Sequence, residues 1–176
     1  RLGIEFDCIY TGFFTSVRQI ELAQRLIREF AGPQTLVVVD PVLGDHGSLY
    51  GCFTEDFIPA MRALTELADV ITPNRTEATL LTRLPLSTDD ETLLAWLKSR
   101  AAIITSITSG NLIGYLCRMD DGETMRIERP EVDITLHGAG DVFTSSLCGE
   151  LLNGSDLRSA AVCAAAFCDR CIHDTV

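Results

Sequence analysis

Thr35-Leu36-Val37-Val38-Val39 is a continuous aliphatic run, rich in β-branched residues, that ends abruptly in Asp40-Pro41. A strand with one face in water alternates apolar and polar residues; an unbroken run reads as a strand buried on both faces of a parallel sheet. That requirement constrains the fold more than any other feature, because helices must then cover both sides. The flanking segments supply them. Val17 to Phe30 carries apolar residues at 17, 20, 23, 26, 27 and 30, which is helical spacing, and Gly32-Pro33 stops it. Asp56 to Ala68 is predicted helical. Val70-Ile71-Thr72 is a short strand, and Pro73-Asn74 opens a helix to about Arg83. Ser87 to Glu91 has the hydroxyls and acids of a helix start, for a helix running to about Arg100.

Ala101 to Thr105 is a further strand. The pattern then changes to a hairpin, 112–119 and 124–129, turning on Asp120-Asp121-Gly122-Glu123. Gly138-Ala139-Gly140-Asp141 precedes a helix to Leu152, and an Ala/Cys-rich helix from Asp156 to about Asp174 is apolar nearly all round, which predicts burial. Repeated strand–helix units make this an α/β protein with a mainly parallel sheet. At 176 residues, 47% of them apolar, the chain suits one domain with a real core. It has no apolar stretch near the ~18 residues of a membrane helix. Arg1-Leu2-Gly3-Ile4-Glu5 has no signal-peptide character, and we read the chain as starting inside a longer product. The last helix has no terminator, so the C-terminus reads as cut as well.

A formal net charge of −11, with no Lys/Arg run, argues against a sequence-independent grip on nucleic acid. An acidic protein that binds phosphates must neutralise them locally, with metal ions, backbone N–H groups or a few placed cations. The seven Cys are scattered through apolar segments and read as reduced core thiols of a cytoplasmic protein. Trp96 and most other aromatic residues read as core; Phe13 and Tyr50 are the exceptions, in loops at the mouth of the sheet.

Ligands of open α/β sheets sit at the carboxyl ends of the strands. Four loops fall there: 11–16, 40–47, 72–77 and 105–110. Asp40, Asp45, Asn74 and Glu77 could converge at that edge, and carboxylates so clustered call for a cation, such as Mg²⁺ shared with phosphate oxygens. The alternative is structural: Asp40 and Asn74 as turn caps and Glu77 as a solvated helix residue. Gly138-Ala139-Gly140-Asp141 offers small residues and free N–H groups at a helix start, an anion hole in physical terms, with Asp141 placed to accept a proton from a hydroxyl. That pairing suits phosphoryl transfer. Here too an ordinary Asp cap is the competing reading. Phe143 stands where a dinucleotide fingerprint needs its third Gly, and there is no GxxxxGK[ST] motif. His46, His137 and His173 are not at metal-ligand spacing; His137 precedes the anion-hole loop.

Together these motifs resemble the ribokinase-like superfamily, and within it the pyridoxal/pyridoxamine kinases. The match is carried in order by Thr11-Gly12-Phe13, by Asp40-Pro41-Val42-Leu43-Gly44-Asp45 with Gly47-Ser48-Leu49-Tyr50, by Ile71 to Ala78, and by Gly138 to Asp141, with Thr105-Ser106 a weaker fifth. The resemblance implies a three-layer α/β/α sandwich, one kinase domain over 1–176 lacking N-terminal strands and the extreme C-terminus. It implies an ATP- and Mg²⁺-dependent kinase, with a monovalent cation such as K⁺, acting on the 5′-hydroxymethyl of a B6 vitamer. Asp141 would be the base, and the amides of Gly138, Ala139 and Gly140 would hold developing charge. Asp40, Asp45 and Glu77 would serve the metal–phosphate region, Glu77 through water. Thr72 and Asn74 would line the phosphate path, and Thr105 and Ser106 the nucleotide phosphates or a cation. Tyr50 would belong to a flap near the nucleotide, and Phe13 would lie against the substrate ring. A homodimer, with neither nucleic acid nor membrane as partner, is also implied. Two departures stand out: Phe13 replaces a frequent Tyr, and Ala139 a frequent Thr. Hydroxymethylpyrimidine kinases share the fold, base and anion hole and are the nearest alternative. A non-catalytic nucleotide- or ligand-binding relative is another.

Overall fold

The structure, a computed structural model, describes residues 5–131 and 138–174. Four strands, β1 (Cys8–Thr11), β2 (Leu36–Val39), β5 (Val70–Ile71) and β6 (Ala101–Ser109), pair in parallel in that order. β7 (Leu112–Arg118) and β8 (Thr124–Pro130) extend the same sheet antiparallel, through the hairpin turn with Gly122 in the left-handed region. A small hairpin, β3 (Gly44–Asp45) with β4 (Ser48–Leu49), stands apart and replaces the expected plain Gly-rich loop.

Alternation along the strands decides the layers. Val37, Val39, Ile71, Ala102 and Ile104 point to one side. There they meet α1 (Val17–Phe30), α2 (Phe57–Thr65), α3 (Arg75–Thr82) and α4 (Asp90–Trp96). Val38, Val70, Ala101 and Ile103 point to the other, against α5 (Ala139–Leu152) and α6 (Leu157–His173). This is the expected α/β/α sandwich, and β2 is indeed sealed on both faces.

Four expectations are corrected. The helix starting near Ser87 stops at Trp96 rather than Arg100. There Arg118 donates to the carbonyls of Leu94 (2.6 Å), Leu97 (3.1 Å) and Ser99 (2.8 Å), so the chain's last polar groups find a guanidinium instead of another helical turn. Trp96 is not core; it is 61% exposed on the outer face of that short helix. Helix α6 is buried along one stripe only, Ala160, Ala161, Ala164, Ala165, Cys168 and Ile172, while Val162 and Phe167 face outward. A helix in an outer layer has one neighbour, and its other side must meet solvent. The Cys residues divide likewise: 117, 148 and 168 are buried, 52 and 163 exposed. His137 lies outside the described residues.

Gly114 is the tightest point of the sheet. A Cβ there would lie 1.9 Å from the Ile127 carbonyl oxygen on β8, a backbone atom that cannot swing away. We expect Gly114→Ala to lower the unfolding free energy by about 1–3 kcal/mol through overpacking. Urea denaturation with an unchanged midpoint would contradict that close approach.

Candidate active site

The polar ends of the central strands emerge at one edge, and the residues there hold one another. Glu77 is buried in the first turns of α3. Its Oε2 accepts from Asn74 N (2.8 Å), while Asn74 Oδ1 accepts from Glu77 N (2.9 Å), a reciprocal capping box. Its Oε1 accepts from Leu43 N (3.0 Å), and Asn74 Nδ2 donates to the Gly44 carbonyl (2.8 Å). Glu77 is therefore not the solvated helix residue that one reading allowed. It is an internal anchor tying the 43–44 segment to α3.

Asp40, directly after β2, is also buried, with its backbone N bonded to the Thr11 carbonyl of β1 (2.9 Å). Burial, and then the charge of Asp141, push its carboxyl up to about 7. Glu77 is raised as well, by burial first and the Asp40 charge second, against the pull of its backbone N–H donors. Asp45 lies outside this pair: half-exposed on the small hairpin, its Oδ1 accepts from His46 N (2.8 Å). Among the described residues, no three His, Cys, Asp or Glu side chains come close enough to hold a metal by themselves. Of the three acids expected to serve a metal–phosphate region, Glu77 faces backbone amides and Asp45 is half-exposed. Asp40 is the member whose chemistry fits a divalent cation, a buried carboxylate beside a second negative charge with phosphate oxygens needed to complete the shell.

Gly138 caps α5 in the left-handed region (φ 87°), and the first intrahelical bond of that end is Val142 N to Gly138 O (3.0 Å). The helix begins at Ala139, three residues earlier than expected, so Ala139, Gly140 and Asp141 all lie in its first turn. Their N–H groups, with that of Gly138, are those a helix leaves free. Asp141 is exposed, and its Oδ1 lies 3.9 Å from where a Cβ on Gly12 would sit. A Cβ on Gly140 would meet Asp40 Oδ2 at 3.9 Å. The two glycines thus leave the Asp141 and Asp40 carboxylates uncovered.

Thr72 is drawn inward. Its buried hydroxyl bonds that of Thr144 on α5 (2.9 Å), tying β5 to the helix that carries Asp141. Thr105 is buried too, bridged to the 73–74 segment through its N–H to the Pro73 carbonyl (2.8 Å). The strand expected to end there continues to Ser109, interrupted by a bulge at which Ser106 takes φ 57°, a strained conformation for a non-glycine residue. Beside it, a cavity of about 180 Å³ is lined by Thr105, Ser106, Gly114, Tyr115, Ala139 and Gly140. It reaches Ala139 and Gly140 at the start of α5 and does not include Asp40 or Asp141 in its lining. Phe13 is 56% exposed and packs on Phe53 (centroids 5.4 Å apart), which Tyr50 and Phe57 also contact.

Three participants escape motif reading. Phe53 and Thr144 carry no motif signal. Tyr10 does carry one: on β1 it shares a face with Gly12 by simple alternation, and its phenol lies in the field of both Asp40 and Asp141.

The chain belongs to the phosphomethylpyrimidine kinase family, whose model matches residues 2–176, and its fold is ribokinase-like. It is 33% identical to the pyridoxine kinase of Bacillus subtilis strain 168, over 98% of this chain and 66% of that protein. A Bacteroides thetaiotaomicron protein crystallised with pyridoxal is 35% identical, with a TM-score of 0.86 over 94% of this chain and 62% of that one. The ADP complex of Bacillus subtilis pyridoxal kinase is 26% identical, with a TM-score of 0.77 over 94% and 64%. The chain therefore spans just under two thirds of the length of these relatives. Among the described residues, no helix is long and apolar enough to cross a membrane.

The raised carboxyl of Asp40 has a consequence for stability. Its folded pKa (about 7) lies above its ordinary value of 3.8, so the folded protein holds a proton that the unfolded chain releases. Asp40's contribution is then present in full below about pH 4 and is lost as pH rises through 7. We expect Asp40→Asn to flatten that decline and to stabilise the metal-free protein at pH 8 by on the order of 2–4 kcal/mol. Thermal unfolding of both forms from pH 4 to 8 is the check; parallel profiles would overturn the assignment.

Proposed function

We propose that this protein transfers the γ-phosphoryl group of ATP to the 5′-hydroxymethyl group of a B6 vitamer: pyridoxal, pyridoxine or pyridoxamine. The observation that carries the reading is the position of Asp141. It is an exposed carboxylate in the first turn of α5, opposite the bare backbone of Gly12 and beside buried Asp40. In this reading Asp141 takes the hydroxyl proton as the substrate oxygen attacks. The free N–H groups of Gly138, Ala139 and Gly140 face the charge that builds on the transferring phosphoryl group, where preorganised donors lower the barrier.

Asp40 would hold Mg²⁺, with Asp45 at the rim. When bound, the ion supplies positive charge to the phosphate oxygens. Glu77 and Asn74 keep the 43–45 segment in place, and Thr72 steadies α5 through Thr144. Thr105 and Ser106 line the cavity next to the anion hole and would meet the nucleotide's phosphates or a monovalent cation such as K⁺. Tyr50, beside Phe53, would close over the nucleotide, and Phe13 offers a ring face to the pyridine. The pyridoxal bound by the Bacteroides relative and the ADP bound by the Bacillus relative support this choice of ligands. The cytoplasm as setting and a homodimer as assembly go with the same reading. The family's description keeps hydroxymethylpyrimidine as the alternative acceptor.

Incubating the protein with ATP and Mg²⁺ and each of the three vitamers or hydroxymethylpyrimidine, with product detection by mass spectrometry, tests the proposal. We expect a phosphorylated vitamer, lost by at least about 100-fold in Asp141→Asn while nucleotide binding persists. Phosphorylation of the pyrimidine alone would move the substrate, and undiminished turnover in Asp141→Asn would remove the base.

A further inference from the structure

β1 and α5 meet in successive rungs. Cys8 neighbours Cys148, and two residues further along the strand the Tyr10 hydroxyl neighbours that of Ser145. Two residues further again comes Gly12, opposite Asp141, and there the strand offers no side chain. The point where a Cβ on Gly12 would sit is 3.8 Å from Tyr10 Oη and 3.9 Å from Asp141 Oδ1. The phenol and the carboxylate therefore face one small space, and both side chains are exposed toward it from the strand edge and the helix start. A space flanked by a donor and an anion suits a hydroxyl group.

We propose that Tyr10 is a specificity-determining residue of this site, whose phenol O–H, facing Asp141 across the bare backbone of Gly12, donates a hydrogen bond to the oxygen of the acceptor hydroxyl while Asp141 accepts that hydroxyl's proton. The inference rests on the phosphotransfer reading above and names a residue that reading does not use. The acceptor hydroxyl has one proton and two lone pairs. The proton goes to Asp141, one lone pair forms the bond to phosphorus, and the other receives the Tyr10 donor. Tyr10 keeps its own proton throughout. Burial and the charges of Asp40 and Asp141 all raise its pKa, so it is a donor and never a competing base. A tyrosine serving only to pack could be replaced by phenylalanine without loss. Placing a hydroxyl between two carboxylates has a purpose if that hydroxyl has something to bind.

The test is a comparison of ligands. Pyridoxine and its analogue carrying a methyl in place of the 5′-hydroxymethyl are titrated calorimetrically into wild type, Tyr10→Phe and Ser145→Ala. We expect wild type to prefer pyridoxine, and Tyr10→Phe to lower that preference about 5- to 10-fold, the worth of one hydrogen bond between neutral groups. Ser145→Ala, which leaves the phenol but removes the neighbouring hydroxyl, should lower the preference less and in the same direction. Affinity for ADP should not change in either variant. An unchanged preference, or an equal loss for both ligands, would overturn the role of Tyr10 and leave the phosphotransfer reading intact. A wild type that binds neither would overturn the B6 reading and this inference with it.

Discussion

Val38, Val39, Ile71, Ile103 and Ile104 are sealed between two helical layers, and that double burial dictates where every polar group of the central strands can go. Within the sheet their amides and carbonyls are paired by neighbours. At the strand ends there is no neighbour, so side chains, loops and helix starts must take over. The site is the result: Asp40, Thr72 and Thr105 each stand where a buried strand leaves the core or breaks its ladder. The four parallel strands all end at the same edge, so these residues are neighbours in space despite separations of tens of residues in sequence.

Gathering carboxylates at such an edge is costly, and the protein manages the cost unevenly. Glu77 is compensated locally, by the backbone N–H groups of Leu43 and Asn74, which would otherwise be orphaned at a loop and a helix start. It resembles an internal hydrogen-bond hub more than a ligand. Asp40 has no such donors to its carboxylate among the described residues, and burial with a neighbouring negative charge raises both acids. A carboxylate left in that condition next to a helix start with free N–H groups is unstable alone and favourable beside bound cation and phosphate.

Much of this was legible in the linear chain. Val17–Phe30 begins and ends where periodicity and Gly32-Pro33 put it. The two-faced strand, the Asp-Gly hairpin and the Asn74 cap likewise follow from local rules. Local rules failed where a distant group intervened. The helix ending at Trp96 was decided by Arg118, more than twenty residues away, and the exposure of Trp96 followed from that ending. The one-sided burial of α6 was decided by how many layers the fold has, which no helical period can report.

The sequence by itself determined the class of fold, the order of its elements and the acids and glycines at its functional edge, because periodicity, capping and turn chemistry act over a few residues. Only the tertiary structure decided which acid is which. It turned Glu77 toward backbone amides, left Asp45 facing out, and set Asp40 in the core beside Asp141. It also brought Tyr10 of β1 against Ser145 of α5 and opened the space over Gly12 between phenol and carboxylate. Burial and long-range charge are properties of assembled layers, and pKa and accessibility follow them rather than the order of residues along the chain.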